Sequence, residues 1–206
     1  MPSYKLTYFP ARGAAEPARM LLHYNNVPFT DERISKADWP ARKPTTPYGQ
    51  VPVLCIDGVQ LAQSFAICRY LANEYGMAGT TALEKAHVDS VADAYKDFTL
   101  EIRSYFYAAA GILEGNIDDL YKDVAVPAME KHFPNIVRVW KESGNGFFVK
   151  SGVTWVDFYV AEHLSSMLGF NKESLKNYPE LEKLIENVHT HPKLENYIAE
   201  RPKTVM

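Results

Sequence analysis

The side chains of this 206-residue sequence that are placed to do chemistry gather near its N-terminus. Tyr8 follows a short run of alternating bulky and polar residues and precedes a helical pattern. Its hydroxyl would therefore stand at the mouth of a sheet, where open α/β units take ligands. Gln50-Val51-Pro52 opens another extended run. Proline cannot donate within a ladder, so at the start of a strand it marks either a plain loop or a special peptide that leaves the Val51 backbone groups for a ligand. Gln63-Ser64 opens a helical stretch. Its main-chain N–H groups, hydroxyl and positive dipole end would receive a carboxylate or phosphate, and the same serine would serve as an N-cap. Taken singly, each has an ordinary packing or capping use.

Other groupings carry less. His189 and His191 lie two apart on a helical pattern and so point to different faces, with no acid or cysteine at ligand spacing. No metal centre is expected. Cys55 and Cys68 form no C-x-x-C pair, one falling in a strand and the other on the apolar side of a helix, which suits core packing. Two cysteines also make no disulfide framework, no apolar stretch suits a signal peptide or membrane span, and no glycosylation sequon occurs. A cytoplasmic protein with reduced thiols is expected. The 22 basic residues against 25 acidic ones leave a formal charge of -3, so no broad basic field favours nucleic acid or an anionic membrane. An anionic ligand must be held locally.

The elements that position these residues are legible from periodicity. Tyr4 to Phe9 alternates as a strand, Ala14 to Tyr24 has a helical apolar stripe with Glu16 and Pro17 in its first turn, and Phe29 to Ile34 is a second strand. Val53 to Leu61 is a hairpin turning on Asp57-Gly58, and a helix follows from Ser64, an N-cap candidate, to a stop at Gly76. The pattern is β-α-β followed by β-β-α. Beyond it the sequence reads as helices: Glu84 to about Ala110, Ile117 to His132 with a kink at Pro127, Ile136 to Glu142, Thr154 to about Leu168, and two opening near Pro179 and Pro192. Thr154 with Asp157 three residues on is a relative of the capping box, and Val153 with Phe158 is placed as its hydrophobic staple. Two domains are expected, 1–78 and 84–206, with 77–83 as linker.

The ordered set Tyr8-Phe9-Pro10-Ala11-Arg12-Gly13, Ala37-Asp38-Trp39-Pro40, Pro47-Tyr48-Gly49-Gln50-Val51-Pro52-Val53-Leu54, Gln63-Ser64-Phe65-Ala66-Ile67-Cys68-Arg69-Tyr70-Leu71 and Val153-Thr154-Trp155-Val156-Asp157-Phe158 resembles the cytosolic glutathione S-transferases. It is most similar to their sigma class, which includes haematopoietic prostaglandin D synthases and many invertebrate enzymes. The resemblance covers essentially the whole chain. It implies an N-terminal thioredoxin-like domain, an all-helical C-terminal domain, a homodimer and a detoxifying transferase that takes glutathione as cosubstrate without a metal. Tyr8 matches the tyrosine that donates to the glutathione sulfur. Trp39 and Lys43 match the grip on the glycine carboxylate, and Gly49, Gln50 and Val51 lie beside the cis-proline position, Pro52. Gln63 and Ser64 match the pair on the γ-glutamyl carboxylate, while Asp97 of the other subunit would reach the γ-glutamyl amine. Thr154 and Asp157 are structural.

A free thiol has a pKa of about 8.5, so lowering it by about two units needs roughly 2.7 kcal/mol of preference for the thiolate. A well-aimed Tyr8 hydroxyl would supply much of this, with Arg12 as a second charge or as a partner for an acid in the helical domain. Phe9, Arg12, Ala14, Arg103, Tyr107 and the C-terminal tail are the expected walls of a pocket for hydrophobic electrophiles. Ala14 and Ser104 stand where the vertebrate prostaglandin D synthases carry arginine and tryptophan, and Lys96 replaces an aspartate linked there to metal activation. These departures imply a wider pocket and no metal dependence. Prostaglandin isomerisation and carriage of haem or other large apolar ligands are the alternatives.

Overall fold

The computed structural model describes residues 2–204 and 206. The chain divides into two compact units, one reaching to Ala78 and joined by Thr190–Thr204, the other Gly79–His189.

In the first unit the strands are β1 (Tyr4–Tyr8), β2 (Thr30–Arg33), β3 (Val53–Ile56) and β4 (Val59–Ala62), in the order β2-β1-β3-β4. β1 runs parallel to β2, with Thr7 opposite Glu32, and antiparallel to β3, with Lys5 opposite Cys55. Alternation along β1 buries Tyr4, Leu6 and Tyr8 on one face and turns Lys5 and Thr7 to the other. Helix α1 (Glu16–Tyr24), entered through a 3-10 turn at Gly13–Ala15, contributes Ala18, Met20, Leu21 and Leu22 to the core. Helix α3 (Ser64–Glu74) packs on α1 and adds Ile67, Cys68, Leu71 and Ala72. Between them in sequence, α2 (Trp39–Arg42) is a single short turn. The expected hairpin forms, with Asp57 and Gly58 both at positive φ (48° and 91°), the turn that matches the strand twist.

The second unit holds α4 (Ala82–Glu101), α5 (Arg103–Ala109), α6 (Ile117–Leu120), α7 (Val126–Ser143), α8 (Trp155–Phe170) and α9 (Pro179–His189). Helix α4 packs against α7 and α8, and α8 against α9. Its core includes Tyr95, Phe98, Phe133, Trp155, Phe158 and Leu164, all at most 1% exposed. No helix among the described residues is long and apolar enough to cross a membrane.

Three local expectations differ. The helix from Glu84 breaks at Ile102, which is wholly buried with φ −87° and ψ 6°, and no glycine or proline marks the site. Pro127 lies in the first turn of α7, where its missing N–H costs nothing, and a π-helical turn at Tyr121–Ala125 takes up the change of ladder. The segment from Ile136 to Glu142 is continuous with α7 through Pro134.

The chain end packs on the first unit through α10 (Glu195–Glu200), whereas periodicity groups it with the helical half. The reason is a buried carboxylate: Glu16, 1% exposed, accepts from Tyr197 Oη and Arg201 Nη1, both at 2.8 Å. Tyr197 also stacks on His23 with ring centres 3.9 Å apart.

Candidate functional site

Tyr8 ends β1 with 8% exposure, and its hydroxyl oxygen accepts the main-chain N–H of Ala14 at 3.2 Å. That approach depends on Gly13, whose φ is +43°; a Cβ there would stand 2.7 Å from Tyr8 Oη. The loop is fixed from below by Arg19, 1% exposed, whose Nη1 donates to the carbonyls of Ala11 (2.8 Å) and Arg12 (3.3 Å). Arg19 is balanced by Glu16 at 3.0 Å and Asp31 at 3.1 Å, and its guanidinium carbon lies 5.9 Å from the centre of the Tyr8 ring.

Aromatic rings extend the site outward. Phe9 meets Tyr8 edge-on at 5.7 Å and Trp39, the first residue of α2, at 5.5 Å. Lys43 crosses Gly49, where an added Cβ would lie 3.4 Å from Lys43 Cε. Val51-Pro52 is a cis peptide and Pro52 is buried, so this is not a plain loop proline. Gln63 Nε2 donates to Gln50 Oε1 at 3.3 Å, which joins two of the expected residues directly.

Ser64 is the first residue of α3, and the cap position belongs to Gln63, with φ 75° and ψ 114°. The capping alternative for Ser64 is thus corrected: the sharp turn at Gln63 carries the chain from β4 into the helix before the serine. The Gln63 side chain makes no cap hydrogen bond, and the positive dipole end of α3 favours an anionic guest. The Gln63 conformation is uncommon for a residue with a side chain, and outliers of this kind concentrate where ligands are clamped.

Tyr8, Phe9, Arg12, Ala14, Trp39, Lys43, Gly49, Gln50, Val51, Pro52, Gln63 and Ser64 all belong to the first unit. In the second unit, Asp97 is exposed on α4, and on α5 the Arg103 guanidinium lies 5.2 Å over the Tyr107 ring. There the Asp157 carboxylate, fully buried, accepts from Thr154 N–H (2.7 Å), Thr154 Oγ1 (2.8 Å) and Phe148 N–H (2.9 Å), as the capping pattern anticipates. Among the described residues no group of three His, Cys, Asp or Glu side chains could hold a metal ion. Residue-by-residue reading passed over Gly13 and Arg19. The signal for Arg19 was present: charges three residues apart, Glu16 and Arg19, interrupt an otherwise apolar helix face.

A mixed sheet with a cis-proline at one strand start, continued in the same chain by an all-helical unit, defines a two-domain protein of thioredoxin-like and helical halves. Models of the glutathione S-transferase N-terminal and C-terminal domains match residues 4–73 and 96–201. Glutathione S-transferase 1 of Ascaris suum is 46% identical over 204 residues, 99% of each chain. The crystal structure of monomeric Na-GST-3, a glutathione S-transferase of the hookworm Necator americanus, superposes with a TM-score of 0.93 at 41% identity, covering 98% of both chains. A structure of prostaglandin synthase D from Nilaparvata lugens gives 0.87 at 35% identity, covering 98% of this chain and 100% of that one. The chain belongs to the glutathione S-transferase family, and it is a glutathione transferase.

Proposed function

We propose that Tyr8 activates glutathione as its thiolate, which then attacks hydrophobic electrophiles in a detoxifying reaction. The observation that carries this is the bond from Ala14 N–H to the Tyr8 oxygen. A hydroxyl whose oxygen already accepts is polarised and becomes a stronger donor, here toward a sulfur resting beyond the strand end. The donated bond is worth more to S⁻ than to S–H, so the thiol loses its proton to solvent near neutral pH. With an aryl halide, the S–C bond forms as the C–halogen bond breaks and halide leaves.

The tripeptide would lie along the strand-like edge at Val51. Trp39 and Lys43 would take its glycine carboxylate, beside Gly49, and Gln63, Ser64 and Gln50 would take the γ-glutamyl end at the α3 N-terminus. Asp97 of a second subunit would meet the γ-glutamyl amine in a homodimer. Phe9, Arg12 and Ala14 of the first unit would face the electrophile. A sigma-class, cytoplasmic enzyme working without a metal completes the reading; the Necator relative described as monomeric makes subunit composition a direct check by light scattering.

Tyr8→Phe should lower kcat toward an aryl halide about 10- to 100-fold near pH 7, while glutathione binding changes little. Unchanged turnover would overturn the assignment. The similarity to a prostaglandin synthase favours one second reading, isomerisation of a prostanoid endoperoxide, which product analysis decides. Haematin competition tests carriage of large ligands.

A further inference from the structure

The segment that bears Trp39 and Lys43 is attached unlike the rest of its unit. Neither α2 nor the following 3-10 turn, Lys43–Thr45, buries a residue. Beneath it lies a cavity of about 100 Å³ on the outer face of the sheet, with Thr7, Glu32, Trp39, Arg42, Val53 and Cys55 among its walls. With no fully buried side chain and only Trp39 half-buried against Phe9, the segment gains less from the hydrophobic effect than the core helices, so individual polar contacts weigh more in where it rests.

The main such contact runs from Arg42 Nη2 to Glu32 Oε1 at 2.7 Å. Glu32 is already fixed to the sheet. Thr7 Oγ1, directly across the β1–β2 ladder, donates to its other oxygen at 2.7 Å, and Lys5 Nζ stands 3.8 Å away. The Thr7 hydroxyl, more than the neighbouring cations, holds the Glu32 carboxyl below its usual range. Arg42 is three residues after Trp39 and directly precedes Lys43. Both therefore follow the same helical turn toward or away from the sheet.

We propose that the Glu32–Arg42 pair is a latch that sets the position of Trp39 and Lys43, and through them the capture of glutathione. The inference rests on Trp39 and Lys43 being the grip on the glycine carboxylate. Glu32 and Arg42 are positioning residues. They act on cosubstrate affinity more than on sulfur reactivity, because the Tyr8 hydroxyl is set by Ala14 N–H and by the Gly13 approach, neither of which belongs to α2.

The full chain supplies its own reporter. Cys55 lines the cavity beneath α2, whereas Cys68 is buried, its thiol pushed up to about 12 by that burial. Cys55 is half-buried, so its labelling in the folded protein by an aromatic disulfide, located by peptide mass, reads how fully α2 covers it. In Glu32→Gln and Arg42→Met the KM for glutathione should rise about two- to fivefold, the range for a partly exposed ion pair. Saturated kcat and the titration of the bound thiolate should hold. Cys55 should label faster, and S-methylglutathione, which has no free thiol, should slow it again. Arg42→Lys should keep the parent KM, because one nitrogen makes the contact and an ammonium can replace it.

An unchanged KM and labelling rate in both variants would overturn the latch, provided that Trp39→Ala raises KM. If Trp39→Ala leaves KM unmoved, the grip itself is wrong and the latch falls with it. Loss of kcat with a shifted thiolate titration in both Glu32→Gln and Arg42→Met would equally overturn it, since the pair would then act on the whole fold.

Discussion

Gly13→Ala offers the sharpest test of how the Tyr8 hydroxyl is placed. At φ +43° an added side chain is strained by about 1–2 kcal/mol before any contact is considered. Its Cβ would then stand 2.7 Å from Tyr8 Oη, 3.1 Å from Cε1 and 3.3 Å from Cζ. The first distance is shorter than carbon and oxygen tolerate, so ring or loop must move by several tenths of an ångström. The loop is pinned by Arg19 at the carbonyls of Ala11 and Arg12, and Tyr8 is buried, so neither moves without breaking something. The weakest link is the 3.2 Å bond from Ala14 N–H. A displacement of about 1 Å can cost a factor of about 100 in rate, so a smaller shift should cost about tenfold in kcat. The melting temperature should fall by about 3–6 °C for a chain of this size. Gly76→Ala supplies the control: φ is +73°, yet nothing lies within 4 Å of its Cβ, so it should lose similar stability and keep full turnover. The assay is aryl-halide conjugation, the ultraviolet titration of bound thiolate and thermal unfolding on both variants. Equal activity in the two alanine variants would refute the placement of Tyr8 by Gly13.

Two further outcomes concern the helical unit. His163 is stacked on Phe106 at 4.5 Å, and its Nδ1 lies 3.0 Å from Tyr95 Oη; burial pushes its pKa down to about 3. From about pH 6.5 down to that value the unfolded chain binds a proton that the folded chain refuses, so this group's contribution to stability falls as pH falls, by about 2 kcal/mol at pH 5. Urea unfolding at pH 7.5 and 5 should therefore show a smaller pH effect in His163→Asn than in the parent; identical slopes would remove His163 as the cause. Asp157→Ala strands two buried N–H groups and the Thr154 hydroxyl, at a cost of about 3 kcal/mol, which thermal denaturation should register as a drop of about 6–12 °C. A change within about 2 °C would show that the cap is dispensable.

Much of the scaffold was legible because its signals are local. Asp57-Gly58 accepts the two positive φ values of a tight hairpin, and Thr154 with Asp157 can satisfy a helix end from within four residues. The breaks at Ile102 and Tyr121 were hidden, since burial and ladder register are set by neighbours far along the chain. Ser64 was displaced from the cap by one residue because the deciding feature, the φ of Gln63, leaves no mark in composition. Cys55 reads as a core residue from its strand, yet it lines a cavity, because a sheet has two faces and only tertiary packing covers or spares each.

By itself the sequence determined the residue types at the site, the order of the elements and the family to which the chain belongs, since these rest on short spacings and periodicity. The tertiary structure alone decided what holds those residues in place. Glu16 drawing Tyr197 and Arg201 onto α1 and Arg19 meeting Asp31 are polar pairings of buried ions across sequence gaps. Such pairings follow from burial, where an ion must find a partner, and burial is a property of the folded chain.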